Sequence, residues 1–189
     1  MIFANLFRRR EAPLEGVALA LYRALMAKAR DPLFYTDLAV PDTVNGRFDM
    51  LVIHAMLVLR RIRGAGREAD SVGKAMLELL FNDMDQSLRE MGVGDMGMKH
   101  HIKRMAKALF GRAGAYEAGL DGDEQGLATA MKENIYRHNT GEVDAHIARL
   151  SDYVHRAALH LDTQSAEDIT AGRVDLSVPV LSSERAHVG

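Results

Sequence analysis

The amino-acid sequence predicts an all-α protein: a single compact domain of about six helices around a buried central helix, with a flexible C-terminal tail. Apolar residues recur every three or four positions in several long segments, which is the period of a helix. No segment alternates apolar and polar residues strongly enough to predict a strand. At 189 residues, folding buries roughly 70% of the unfolded surface, so the core needs no disulfide or metal to support it.

The composition excludes several classes of protein. The chain has no cysteine, which rules out a thiolate nucleophile, a zinc finger and a disulfide framework, and points to a reducing compartment. The formal charge of -2 and the pI near 6.4 argue against bulk nucleic-acid binding, and we expect no DNA partner.

The central helix is predicted from Gly46 to Gly64, where apolar residues occupy every face. Between Asp49 and Arg60 the uncharged run is about ten residues long, half of the roughly 20 that cross a bilayer. We therefore expect a helix surrounded by protein. His54 is the one polar residue within this uncharged run, and we expect a core histidine with satisfied hydrogen bonds rather than a ligand.

The first residues, MIFANLFRRR, carry apolar side chains before the arginines, which is the reverse order of a secretory signal, so we do not expect export. Two readings remain: a frayed terminus, or a short segment that presses aromatic residues into an anionic membrane surface. The expected boundaries are 1–12 for this basic and apolar segment, 13–162 for the helical domain and 163–189 for a poorly ordered tail.

Five further amphipathic helices are predicted around the central one. Their expected ranges are 14–29, 71–91, 98–116, 127–141 and 142–162, with a short helical piece near 165–171. The connector from Pro32 to Asn45 is apolar and contains Pro41, so no helix is expected there. This connector is either covered by the fold or a docking surface.

The predicted helix 98–116 has a basic face opposite its apolar stripe. Lys99, Lys103 and Lys107 repeat every four residues, with His100 and Arg104 beside them. Such a stripe is either a solvated face or a surface for an anionic partner, such as lipid head groups, RNA or an acidic protein.

No pattern of residues predicts catalysis. The carboxylates of Asp83 and Asp85 would diverge by about 160 degrees on a helix. A di-iron bundle needs Glu-x-x-His twice, whereas the chain offers one partial match, Asp152 to His155. We therefore expect no enzyme, no metal and no cofactor.

Four segments carry a resemblance to a known family. They are VPDTVNGRF, MLVIHAMLVLRRI, FNDMDQSLREMGVGD and KRMAKALFGRAGAY, which together resemble the ubiquinol-cytochrome c chaperone family from Tyr35 to Tyr116. The matching positions are Asp42, Thr43, Gly46, Arg47, Phe48, Asp83, Met84, Arg89, Glu90, Gly94, Asp95, Gly111, Arg112 and Tyr116.

The resemblance implies an all-helical protein with no reaction and no cofactor, which assists cytochrome b during assembly of respiratory complex III. Mitochondrial members of the family sit at the inner membrane and work with a small partner subunit and the ribosome. This chain looks like the shorter bacterial type, so we expect a cytoplasmic protein peripherally associated with the inner membrane, with possible contact to the ribosome or an anionic membrane surface.

Flexible methionines and apolar connector residues favour a surface that repacks around an apolar client. The expected client-binding residues are Phe34, Tyr35, Met91, Met96, Met98, Lys99, Lys103, Arg104 and Lys107. Two alternatives remain open: a membrane- or ribosome-associated adaptor that uses the basic face, and a helical protein that handles a metal or quinone through His54, His100 or later histidines.

Overall fold

A computed structural model describes the backbone of residues 3–90, 95–139 and 141–180, and the side chains of 14–86, 89–90, 102–139 and 141–180. These parts of the chain contain helices and no strands, so the all-α prediction is confirmed. The helices are α1 (Phe3–Ala29), α2 (Pro32–Thr36), α3 (Val44–Ile62), α4 (Arg67–Glu90), α5 (Asp95–Leu120), α6 (Glu124–Asn134), α7 (Asp144–Asp162) and α8 (Ala166–Thr170).

The six long helices correspond to the six predicted ones, but all except α7 begin earlier in the chain than predicted. Helix α1 is continuous from Phe3, so the predicted boundary at residue 12 does not coincide with a helix end. Residues 3–12 are mostly good helix formers, such as alanine, leucine and arginine. Helix α4 begins at Arg67 and α5 at Asp95, a few residues before the predicted starts.

Helix α2 corrects the expectation that the connector has no helix. Pro32 occupies its first turn, where the missing N–H has no helical partner to lose. The Asp31 side chain caps the helix by accepting a hydrogen bond of 3.1 Å from the Leu33 amide. Proline at the start of a helix therefore favours it, and Pro41 lies beyond its end.

The chain forms two compact units. The first combines the described residues of Met1–Ala24, Ile62–Leu109 and Gln164–Val174. Its core includes Leu21 of α1, Met76 and Leu80 of α4 and Ile169 of α8, all with no exposed surface. The Tyr22 hydroxyl donates a hydrogen bond of 2.7 Å to the Asp83 carboxylate, which joins α1 to α4.

The second unit combines Leu25–Arg61, Phe110–Thr163 and the described residues of Asp175–Gly189. Helix α7 buries one complete face in this unit, and α6 packs against it. Gly119 near the end of α5 lies close to α6, since a Cβ added there would come within 2.3 Å of the Leu127 Cβ. Asp123 then caps α6 by accepting a hydrogen bond from the Gly126 amide.

Helix α3 is buried as predicted. Every residue from Phe48 to Val58 is buried, including Asp49 and His54. Its C-terminal end is followed by Gly64 and Gly66, both with the positive φ that glycine adopts without strain. The prediction of a central helix enclosed by protein is therefore confirmed.

The packed chain extends beyond the predicted boundary at residue 162. Helix α8 follows it, and residues 175–180, which form neither helix nor strand, bury Val178 and Val180. Burial alternates here with a period of two, which was not predicted from the sequence. The less exposed residues are Leu176, Val178 and Val180, and the exposed ones are Asp175, Ser177 and Pro179. The expected tail beyond residue 180 lies outside the described residues.

None of the helices, over the part of the chain that the structure describes, is both long enough and apolar enough to cross a bilayer.

Candidate functional site

The motif VPDTVNGRF builds the start of α3. The Thr43 hydroxyl accepts a hydrogen bond of 3.2 Å from the Gly46 amide, which is the geometry of a helix N-cap. A Cβ on Gly46 would lie 1.9 Å from the Pro41 carbonyl oxygen, so only glycine fits this close approach. Thr43 therefore caps the start of the buried helix α3, and Gly46 allows the preceding chain to pass close to it.

An exposed ion pair closes the same turn. Arg47 Nε lies 2.7 Å from the Asp42 carboxylate, and this hydrogen bond lowers the pKa of Asp42. The Arg47 guanidinium also lies 6.0 Å from the centre of the Tyr35 ring, within reach of a cation–π contact. Tyr35 is half-buried and donates a hydrogen bond of 2.6 Å to the Ala29 carbonyl, so its predicted role in client binding stays untested.

A buried polar cluster joins α3, α5 and α6 within the second unit. Arg112 Nη1 lies 2.5 Å from Asp49 Oδ1, its Nε donates to the Asn134 side chain at 3.2 Å, and its guanidinium stacks on the Phe48 ring at 5.2 Å. Asp49 is 1% exposed, and the Arg112 side chain is 14% exposed. The motif residues Phe48 and Arg112 thus hold three helices together.

This cluster is imperfectly satisfied. Among the described atoms, neither Asp49 Oδ1 nor the hydroxyl of the fully buried Tyr116 has a hydrogen bond of good geometry, so the short contact of Asp49 with Arg112 acts as an ion pair rather than a directed hydrogen bond. Burial raises the pKa of Asp49 to about 7, although the charges of Arg112 and Arg137 oppose the shift. Burial and the nearby Asp49 also raise the pKa of Tyr116.

The second buried cluster is built around His54. Its Nδ1 contacts the Met50 carbonyl at 2.6 Å, which fixes the proton on that nitrogen, and its Nε2 accepts from the Tyr153 hydroxyl at 2.8 Å. Burial lowers the pKa of His54 to about 4. Both ring nitrogens are in use, so the prediction of a satisfied core histidine is confirmed and its use as a metal or quinone ligand is not supported.

Phe34 belongs to this second cluster, which corrects its predicted role in client binding. Its ring packs edge-to-face on Tyr153 at 4.9 Å and on His54 at 5.5 Å, and the side chain has no exposed surface. The connector was apolar because the fold covers it: Leu38 and Val40 are also buried. A client cannot reach Phe34 while the core is closed.

The basic face of α5 is partly described. The side chains of Lys103, Arg104 and Lys107 are exposed, while Leu109 and Tyr116 of the predicted apolar stripe are buried. The side chains of Met96, Met98, Lys99 and His100, and all of Met91 and Gly94, lie outside the described residues. The expected methionine surface therefore stays a prediction.

The remaining motif positions have structural roles or open surroundings. Asp83 binds Tyr22, Met84 is 8% exposed, Arg89 pairs with Asp85 at 2.8 Å, and Glu90 accepts from Gln86. Asp95 is the first residue of α5. Gly111 is exposed in the middle of α5, and a Cβ there would meet no described atom within 4 Å.

Sequence reasoning missed how the α2–α3 connector is held. Three consecutive carbonyls accept hydrogen bonds from side chains on or near α6 and α7: Asp37 from Arg149, Leu38 from Tyr136 and Ala39 from Asn139. Ala39 has a φ of 51°, a left-handed conformation that non-glycine residues rarely adopt. The donors are 98 to 112 residues away in sequence, so no local pattern predicts these contacts.

The second unit also has a shallow groove of about 560 Å³ along α6 and α7. It is lined by Ala128, Ile147 and Ala148 together with charged residues, and the ion pair of Lys132 with Asp144 lies within it. Across the described ranges, no three histidine, aspartate or glutamate side chains are placed to hold a metal ion together.

The motif residues that the structure describes cap a helix, close a turn and join buried helices, so they form the framework of an all-α protein. The chain belongs to the ubiquinol-cytochrome c chaperone family, whose model matches residues 36–176. The family resemblance is therefore confirmed and extends well beyond Tyr116. Because the family is one of chaperones, this agrees with the expectation that the chain is not an enzyme.

Solved and curated relatives agree with this assignment. The crystal structure of the Cbp3 homolog from Brucella abortus is similar with a TM-score of 0.79 and 36% identity, covering 95% of this chain and 100% of that one. Ubiquinol-cytochrome c reductase complex assembly factor 1 is 26% identical in Homo sapiens and 25% in Mus musculus, each over 152 residues and 80% of this chain. The chain spans about half the length of these two mammalian proteins, 50% and 51%.

Proposed function

We propose that this protein is a non-enzymatic chaperone that binds newly made cytochrome b and assists assembly of ubiquinol-cytochrome c reductase, complex III. The observation that carries the proposal is the match to the chaperone family over residues 36–176. The names of the human and mouse relatives, both complex III assembly factors, support it. The chemistry required is packing against an apolar client, for which the buried polar clusters supply a rigid frame.

The client site that this proposal favours lies in the first unit, beside the end of α4 and the start of α5. Methionines 91, 96 and 98 fall in this stretch of sequence, and thioether side chains adapt to different apolar surfaces. The exposed Lys103, Arg104 and Lys107 follow on α5. A basic face beside an apolar site suits a client that emerges at an anionic inner membrane, where the chaperone would associate peripherally.

A strain that lacks the gene tests the function directly. We expect assembled complex III to fall strongly in the deletion strain, as measured on native gels and by the absorbance of reduced cytochrome b, and to return when the gene is restored. Affinity-tagged protein should co-purify with cytochrome b while the client is being synthesised. Normal complex III in the deletion strain would show that the proposed function is wrong.

The exposed basic face favours a second candidate, an adaptor that binds the membrane or the ribosome. The variant Lys103→Glu with Lys107→Glu reverses two exposed charges, and a matched control, Arg67→Glu with Lys74→Glu, makes the same change on exposed positions of α4. If the adaptor role is correct, the first variant loses binding to anionic vesicles or ribosomes and the control keeps it. The effect should weaken as salt is raised, because salt screens exposed charges.

A further inference from the structure

Residues 175–180, which we call the C-terminal strap, form neither helix nor strand yet are tied into the second unit by side chains. Lys28 Nζ donates to the Val178 carbonyl at 2.9 Å, and Arg156 Nη1 donates to the Pro179 carbonyl at 2.9 Å. His160 Nε2 lies 3.1 Å from the Asp175 carboxylate at the start of the strap. Two of these three contacts hold backbone carbonyls, which every peptide carries.

The side chains of the strap show a complementary pattern. Val178 and Val180 are 7% and 5% exposed, while Ser177 before them and Pro179 between them are exposed. An extended peptide places alternate side chains on opposite faces, so two apolar residues are held while the polar ones face solvent. Backbone contacts combined with pockets for alternate side chains are the recognition mode of proteins that bind extended peptides.

The strap is also weakly integrated for a buried segment. It forms neither helix nor strand, and within it the Ser177 amide donates a hydrogen bond of 2.8 Å to the Asp175 carboxylate. Lys28 keeps other partners when the strap is ignored: its ammonium lies 3.0 Å from Asp31 and 5.5 Å from the centre of the Tyr153 ring. The lysine ammonium is therefore positioned to donate a hydrogen bond to any extended chain that presents a carbonyl at the same place.

We propose that Lys28 and Arg156 belong to a binding surface for extended apolar peptides, that the C-terminal strap occupies this surface in the free protein, and that an extended segment of a client displaces it. The client in question rests on the proposed function, but the surface and its displaceable occupant do not. Because the strap is tethered, its effective concentration is in the millimolar range, so a free peptide competes poorly until the tether is cut.

The test is a full-length protein with a specific protease site inserted between Arg173 and Val174, cleaved after folding. The probe is a fluorescent synthetic peptide of residues 174–180, VDLSVPV, followed by anisotropy. We expect saturable exchange of the cleaved strap for the probe, and no binding to the uncleaved protein at the same concentrations. Lys28→Met should weaken probe binding by about tenfold, because a charge-assisted hydrogen bond is lost.

Two competitor peptides define the specificity. A second sequence in the same register, VTVTVTV, keeps valines at the positions of Val178 and Val180 but changes the exposed residues that alternate with them, and should displace the probe within about tenfold of the unlabelled strap peptide, because recognition rests on the backbone and on alternate valines. The strap peptide with Val178→Ser and Val180→Ser should compete at least about tenfold less well, since both apolar contacts are lost.

Three results would overturn the proposal. Unfolding on cleavage, seen by circular dichroism, or a strap that stays bound through gel filtration without exchange, would make residues 175–180 an integral part of the core. Failure of VTVTVTV to compete would restrict the surface to its own strap. None of these outcomes depends on complex III, so they are separate from a failure of the deletion experiment.

Discussion

The Tyr136 hydroxyl donates a hydrogen bond of 2.7 Å to the carbonyl of Leu38, which precedes it by 98 residues. Both groups are buried, and burial raises the pKa of Tyr136, which keeps the phenol protonated as a donor. This contact fixes the backbone next to Ala39, whose left-handed φ of 51° is held by its neighbours rather than by its own preference. The connector before α3 is thus set by a residue just after α6.

Removing this donor should destabilise the fold. In Tyr136→Phe the Leu38 carbonyl is left buried without a partner, and we expect a loss of about 1–3 kcal/mol in the free energy of unfolding, measured by urea denaturation. Tyr35→Phe is the matched control, because its hydrogen bond to the Ala29 carbonyl is only part-buried, whereas that of Tyr136 to Leu38 is buried. Equal losses in the two variants would contradict a special role for Tyr136.

Two motif glycines should respond in opposite directions to alanine. Gly46→Ala places a Cβ 1.9 Å from the Pro41 carbonyl oxygen, so the start of α3 must shift, and we expect a loss of more than about 2 kcal/mol. Gly111→Ala adds a methyl in open space within a helix and should stabilise the protein by about 0.5–1 kcal/mol. Thermal unfolding of both variants measures this contrast. Equal changes in stability would contradict the different surroundings of the two glycines.

The buried Asp49 and His54 should have opposing effects on stability as pH changes. The pKa of His54 is about 4 when folded and 6.5 ordinarily, so between these values the unfolded chain binds the extra proton and stability rises with pH. The pKa of Asp49 is about 7 when folded and 3.8 ordinarily, so the folded chain binds the extra proton and stability falls as pH rises. Between pH 4 and 6.5 the two effects partly cancel.

Asp49→Asn removes one of these effects and exposes the other. The stability of this variant should rise from pH 4.5 to 6.5 more steeply than that of the unchanged protein, by up to about 1.4 kcal/mol per pH unit. Urea denaturation at several pH values gives the slope directly, and Asp162→Asn, an exposed change on α7, is the control. Parallel pH profiles for Asp49→Asn and the unchanged protein would show that Asp49 titrates normally.

Phe34 should behave as a core residue. Phe34→Ala removes a fully buried ring that packs on Tyr153 and His54, and we expect a loss of about 3–5 kcal/mol in the free energy of unfolding. The neighbouring Leu33 is 37% exposed, so Leu33→Ala should cost far less. Loss of client binding in a Phe34 variant that keeps full stability would restore the docking role that the structure does not support.

Helical periodicity predicted the fold well because burial follows a single face in the amphipathic helices, whereas the apolar run of α3 from Phe48 to Val58 covers every face. The run through α3 identified a helix that is buried on every side, and the residues around Gly46 marked its start. Sequence position also showed that His54 stands alone among apolar neighbours. The Tyr153 hydroxyl that satisfies it lies 99 residues further on, which only the folded chain reveals.

The candidate site was less predictable, since exposure cannot be derived from an apolar composition. Phe34 reads equally well as a core residue or as a docking residue until its neighbours are known. In the sequence Asp49 only bounds an uncharged run. In the structure it is buried beside Arg112 and belongs to the contacts that join the helices. The strap was missed because its six-residue alternation is short and has no strand partner to reinforce it.

Pro179 gives the strap a further property. An extended segment with alternating valines is a template on which a second chain can add as a strand, and such edges start aggregation. Pro179 carries no amide hydrogen, and its carbonyl is already bound by Arg156, so the backbone offers neither donor nor acceptor at this position. At this position the strap therefore lacks the free backbone groups on which a second chain would add as a strand.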